Sequence, residues 1–195
     1  VNGQVARAND LVFPPSVGDA AADAVELACL DVLPQPEWPP FFEHLEDDLK
    51  VKAAPKPLQV ADMGCGEAKI MSHFEGKNQQ IKVNSFDLAV SRPGVVIADM
   101  SRVPLHDSSL NVIIFCLSLM NTNFIDALKE ARRLLKVDGI LRIAEVESRF
   151  EGGPDAFTAA VEAVGFKQLR FDNSHKVFWM FEFKAVAGKS SSILP

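Results

Sequence analysis

The residues best suited to chemistry fall in four short clusters. Asp62-Met63-Gly64-Cys65-Gly66 sets two glycines beside polar side chains, and backbone without a Cβ approaches a ligand that any other residue would push away. Asp87 follows about 20 residues later, where a carboxylate accepts from both hydroxyls of a ribose. Asp99-Met100 joins an acceptor for an adenine amino group to a side chain that packs on the ring. Cys116 to Met120 follows a long apolar run and would line a pocket floor.

The elements that must position these clusters are legible from periodicity. Strands are expected over 58–63, 81–86, 94–98, 110–117 and 140–146, then over 166–172 and 176–183 around the Asn173-Ser174-His175 turn. Each cluster therefore closes one of the first four strands. The run over 110–117 is nearly all apolar, as a parallel strand covered on both faces requires. A helix is expected from Glu67. A second covers 123–136, with Phe124, Ala127, Leu128, Ala131, Leu134 and Leu135 at helical spacing, closed by Val137-Asp138-Gly139. A third covers 155–164 and stops at Gly165.

Five β–α units followed by a hairpin predict an α/β fold with right-handed crossovers. It is a doubly wound, seven-stranded, mostly parallel sheet whose last strand is antiparallel. Ligands of such sheets sit at the carboxyl ends of the strands. The architecture resembles the Rossmann-like class I methyltransferases.

The rest of the chain bounds the reading. Residues 58–186 form the expected domain, 1–57 an N-terminal extension with helices over 19–33 and 41–51, and 187–195 a frayed tail. A chain of 195 residues with 48% hydrophobic and 24% charged residues buries a real core. No segment approaches the roughly 20 apolar residues of a membrane span, so no membrane partner is expected. The three cysteines, Cys29, Cys65 and Cys116, form no Cys-x-x-Cys pair, so neither a disulfide framework nor a metal site is expected. The net charge of −6 lies in residues 1–57, with four Lys/Arg against ten Asp/Glu. The broad basic footprint of a self-sufficient nucleic-acid binder is absent. A start at Val1 without a leader pattern reads as a piece of something longer.

The first cluster also discriminates between nucleoside cofactors. A dinucleotide fold uses Gly-x-Gly-x-x-Gly, whereas Gly64-Cys65-Gly66-Glu67-Ala68-Lys69 lacks the third glycine. Glu67 places an acid where a pyrophosphate wants a bare helix N-terminus. A positively charged sulfonium without phosphate tolerates that acid, so S-adenosylmethionine is expected rather than NAD.

Several segments together resemble the ribosomal RNA-processing protein 8 family, called nucleomethylin in animals. They are Phe115-Cys116-Leu117-Ser118-Leu119-Met120-Asn121-Thr122-Asn123, Asp62-Met63-Gly64-Cys65-Gly66, Phe86-Asp87-Leu88-Ala89, Asp99-Met100 with Val103-Pro104-Leu105, and Ala144-Glu145-Val146-Glu147-Ser148-Arg149-Phe150. The resemblance covers roughly 58–185. It implies a nuclear, nucleolar enzyme that uses S-adenosylmethionine to methylate N1 of an adenine in large-subunit ribosomal RNA. It also implies cofactor contacts from Gly64, Asp87, Asp99, Met100 and Cys116, and pre-ribosomal or chromatin proteins as further partners. In animals the family also silences ribosomal DNA, so the alternative is a cofactor-binding chromatin module with little turnover. The family's Tyr-His-x-Gly-Phe segment, expected between Glu37 and Trp38, is missing, and His44 lies on the wrong side of Trp38 to replace its histidine.

Attack by adenine N1 uses a free lone pair, so no strong base is required, but the base must be unpaired or extruded. Cys116 reads as a small buried residue touching adenine rather than as a nucleophile. Glu145 and Glu147 either meet substrate or pair with Arg149. His73 and His106 read as exposed, and His175 as a turn residue. Phe178, Trp179, Phe181 and Phe183 read mainly as core.

Overall fold

The computed structural model describes residues 57–76, 80–119, 123–150, 152–174 and 178–187. The two helices expected within 1–57, together with Cys29, Trp38, His44, Met120 and His175, lie outside them.

The central strand shows how the sequence builds the sheet. β1 (Leu58–Met63), β2 (Ile81–Asp87), β3 (Val95–Ile97) and β4 (Leu110–Cys116) are followed by β5 (Leu135–Val146), β6 (Phe166–Asp172) and β7 (Phe178–Ala185). In β4, Leu110, Ile113 and Phe115 enter one apolar layer while Val112 and Ile114 enter the other. Helix α1 (Lys69–Phe74) covers the second layer with Ile70 and Phe74. Helices α2 (Phe124–Leu134) and α3 (Gly153–Ala163) cover the first. Phe115 is fully buried, and burial of a side chain of that size contributes about 1.5–3 kcal/mol.

The sheet order is β3-β2-β1-β4-β5-β7-β6. β1 pairs in parallel with β2 and β4, while β7 runs antiparallel between β5 and β6. This is the expected seven-stranded arrangement. Arg142 and Glu182 stand opposite each other across β5 and β7, where their side chains pair at 2.8 Å. Phe178, Trp179, Phe181 and Phe183 are buried, as expected for core, and Phe150 stacks on Trp179.

Several local expectations are corrected. No helix occurs in 88–94 or 98–109, so the β2–β3 and β3–β4 connections are not β–α units. Both are rich in turn formers, with Ser91, Pro93 and Gly94 in one, and Asp99, Ser101, Pro104 and Asp107 in the other. α1 begins at Lys69 rather than Glu67 because Ala68 is left-handed, with φ 52°. β3 is shorter than 94–98, and β4 ends at Cys116 because Leu117 turns out of the ladder at φ 55°. α2 ends at Leu134, and Val137-Asp138-Gly139 is absorbed into β5 as an irregularity opposite Leu110 and Val112. A Cβ on Gly139 would lie 2.9 Å from the Lys136 carbonyl, so the close approach there demands glycine. α3 starts two residues earlier than expected, where Pro154 suits a helix's first turn. β7 continues to Ala185, which finds a ladder partner in Phe166.

Candidate active site

Parallel β1, β2, β3 and β4 finish side by side, so the four clusters meet at one end of the sheet. After Met63 the chain reverses over the end of β2. The Gly64 and Cys65 amides donate to the Phe86 carbonyl at 2.8 and 3.0 Å. Gly64 has φ 69°, and a Cβ built on it would stand 2.5 Å from Ser118 Cβ and 3.4 Å from Met100 Cε. This turn is therefore in contact with the segments after β3 and β4, and only glycine fits.

Asp87 is held by backbone. Its Oδ2 accepts from the Gly66 amide at 2.8 Å and its Oδ1 from the Ala89 amide at 3.2 Å. Each carboxylate oxygen has room for a second donor. The Ala98 amide donates to the Asp87 carbonyl at 2.9 Å, tying the end of β3 to the end of β2. Asp99 is exposed, and its Oδ1 accepts from both the amide and hydroxyl of Ser101, at 2.8 and 2.7 Å. Those bonds hold its carboxyl below the ordinary value. Met100 thus reaches the glycine turn, while the hydrogen bonds of Asp99 stay within its own turn.

The loop carrying Asp99 and Met100 is braced from α2. Glu130 Oε1 accepts from the Val103 amide at 2.7 Å, and Arg133 donates to the Val103 and Leu105 carbonyls at 3.2 and 3.0 Å. Glu130 and Arg133 pair at 2.6 Å. Burial alone would raise the Glu130 carboxyl, but Arg133 and the Val103 amide outweigh it and hold the carboxyl below its ordinary value.

The floor formed by these strand ends carries two buried acids, Asp62 and Glu145. Burial, reinforced by the Asp87 charge, pushes the Asp62 carboxyl up to about 7. Burial also raises the thiols of Cys65 and Cys116 to about 12, helped by Asp62 at both. Both thiols stay protonated near neutrality and are not nucleophiles. Glu145, at the end of β5, is 2% exposed. Its Oε1 accepts from the Leu119 amide at 2.7 Å, and burial pushes its carboxyl up to about 7. Glu145 thus braces the segment after β4, while Glu147 is exposed. His106 is exposed as expected, whereas His73 is partly covered, edge-on to Phe74.

Asp62 and Ser118 complete the site; the sequence placed them in the first and fourth clusters but gave neither a role of its own. Asp62 carried one usable signal, a carboxylate inside an apolar strand. Ser118 carried none, because its contact with Gly64 is made across the fold.

The donor set fits S-adenosylmethionine. Asp62 near the end of β1, Asp87 closing β2 and Asp99 following β3 put three carboxylates at adjoining strand ends. The nearby cation Lys69 lies 3.5 Å from Glu67, and α1 is a six-residue helix entered through left-handed Ala68. Such surroundings oppose a pyrophosphate and attract a phosphate-free cation.

Comparisons with known proteins agree. Residues 36–193 match the family described as "Hypothetical methyltransferase". The 25S rRNA (adenine(645)-N(1))-methyltransferase of Schizosaccharomyces pombe is 40% identical over 160 residues, covering 80% of this chain and 50% of that protein. Ribosomal RNA-processing protein 8 of Rattus norvegicus is 42% identical over 149 residues, covering 76% and 31%. This chain thus spans half or less of the length of these relatives. A SAM-dependent methyltransferase from Aquifex aeolicus shares the fold, with a TM-score of 0.57 at 16% identity over 74% of this chain and 89% of that one. Because the family match takes in every described strand and helix, this chain belongs to that methyltransferase family.

Proposed function

We propose that this chain is the S-adenosylmethionine-dependent domain of an enzyme that methylates N1 of an adenine in large-subunit ribosomal RNA. The observation that carries the reading is the convergence of Gly64, Asp87 and Met100 at adjoining strand ends, where backbone hydrogen bonds fix Asp87. The names of the two curated relatives supply the substrate class. Residues 58–186 are the catalytic domain, 1–57 an extension and 187–195 a tail. The setting is ribosome biogenesis in the nucleolus.

When bound, the cofactor supplies an electrophilic methyl group on a cationic sulfur. Asp87 accepts from the ribose hydroxyls, held in orientation by the Gly66 and Ala89 amides. Asp99 accepts from the cofactor's adenine amino group, while Met100 and Cys116 pack against the ring. Gly64 lets backbone come close, and the acidic floor favours a cation. With protonated thiols and a nucleophile that carries its own lone pair, rate derives from alignment and exclusion of water. No general base is needed.

The test is to incubate the full-length protein with methyl-labelled cofactor and ribosomal RNA and to map the modified nucleotide. Label at N1 of a single large-subunit adenine is expected. An intact protein that binds cofactor and transfers no label would overturn the reading.

A further inference from the structure

The strand order lays out the crevice in one direction. Asp99 and Met100 follow β3, Asp87 closes β2, and the glycine turn follows β1. With adenine between Met100 and Cys116 and ribose at β2, the far end of the cofactor, with its methyl group, falls past the glycine turn, toward the segment that follows Cys116. The methyl acceptor then belongs at the β4–β5 end.

That end carries two unsatisfied polar atoms. Ser118 Oγ and Glu145 Oε2 are both buried and without a hydrogen-bond partner. Glu145 is 2% exposed, and its other oxygen is engaged by the Leu119 amide at 2.7 Å. Buried polar atoms without partners are rare and costly. Arg149 and the Ser118 and Val146 amides also favour the Glu145 carboxylate from nearby, but among the described residues only the Leu119 amide makes a hydrogen bond to it, and Oε2 has none. Ser118, one residue before Leu119, abuts the glycine turn. The two orphaned atoms therefore belong to one short stretch between the cofactor turn and the end of β5.

We propose that Glu145, with Ser118, forms the subsite for the acceptor base, Glu145 Oε2 accepting from the exocyclic amino group of the target adenine. The proposal rests on the function proposed above. That amino group adjoins N1, so holding it directs the N1 lone pair toward the methyl carbon. The new N1–C bond forms as the C–S bond breaks, and the bonding pair stays on sulfur. The positive charge passes to the purine ring, and no proton moves. A carboxylate beside the ring attracts that charge, and it repels the oxygen that guanine presents at the same position.

The test uses the full-length protein and an RNA oligonucleotide spanning the mapped site, carrying either adenine or unsubstituted purine (no exocyclic amino group) at the target. Glu145→Gln keeps an acceptor for the Leu119 amide and alters the second position. It should bind S-adenosylhomocysteine within about threefold of the unaltered protein. On adenine RNA its kcat/KM should fall about 10- to 150-fold, the range of one hydrogen bond to a charged group. On purine RNA the two proteins should agree within about threefold. Ser118→Ala, which leaves the Leu119 bond in place, should lose about twofold to tenfold on adenine RNA. Full activity of Glu145→Gln, an equal loss on both RNAs, or a parallel loss of S-adenosylhomocysteine binding would overturn the proposal alone. Failure of the unaltered, cofactor-binding protein to methylate any ribosomal RNA adenine would overturn the enzymatic reading and this proposal together.

Discussion

Gly64→Ala perturbs the point where three segments of the site touch, and its cost follows from two terms. At φ 69° the left-handed backbone costs an L residue about 1–2 kcal/mol. The added methyl would stand 2.5 Å from Ser118 Cβ, about 1 Å inside an ordinary carbon–carbon contact. Relieving that overlap costs about 1–3 kcal/mol more. The expected destabilisation is about 2–5 kcal/mol in urea, or about 4–20 °C in melting temperature for a chain of this size. Because the shift moves the turn against the cofactor, calorimetry should show S-adenosylhomocysteine affinity reduced at least about tenfold. Ser118→Gly removes the clashing carbon without touching the backbone conformation. The double variant should therefore recover about 1–3 kcal/mol relative to the sum of the single changes. Additive single effects, or an unchanged Gly64→Ala protein, would refute the proposed contact between the glycine turn and the segment after β4.

Three further outcomes are expected. Asp87→Ala removes the carboxylate that holds the Gly66 and Ala89 amides, and calorimetry should record at least about 100-fold weaker S-adenosylhomocysteine binding; undiminished affinity would contradict the assignment. Asp62 and Glu145 are both raised to about 7, so between about pH 4 and pH 7 the unfolded chain ionises them first and stability falls as pH rises. Below that window both states are protonated. Asp62→Asn should flatten the decline, since a displacement from 3.8 to about 7 corresponds to about 4 kcal/mol; an unchanged pH slope in urea titrations would refute it. Glu130→Gln weakens the brace on the Val103 loop, and with Arg133 34% exposed the loss should be about 2 kcal/mol rather than the value of a fully buried pair. Cofactor affinity should fall with it, read by denaturation and calorimetry on the same sample.

Much of this molecule is local and therefore legible in the chain. The apolar run through Ile113, Ile114 and Phe115 must be covered on both faces. Phe124, Ala127, Leu128 and Ala131 repeat at helical spacing, and turn residues separate the strands. Those patterns determine the strand sequence and the doubly wound sheet, and the sheet places Gly64, Asp87, Met100 and Cys116 at one end. The expected β–α alternation failed at 88–94 and 98–109, where proline and short polar residues favour turns and the connections close without a helix.

The interactions that turn a strand end into a site depend on positions far apart in sequence. Nothing local shows that Ser118 fills the space a Gly64 side chain would need. Nor does it show that Glu130 and Arg133 reach across to hold Val103 and Leu105. The chain alone left Glu145 divided between substrate and Arg149, and packing gave one of its oxygens to Leu119 and left the other buried without a partner. Hydrophobic periodicity is read over neighbouring residues and determines the elements. Hydrogen-bond satisfaction, close contact and desolvation are settled only when those elements meet, and they decided what the end of the sheet can hold.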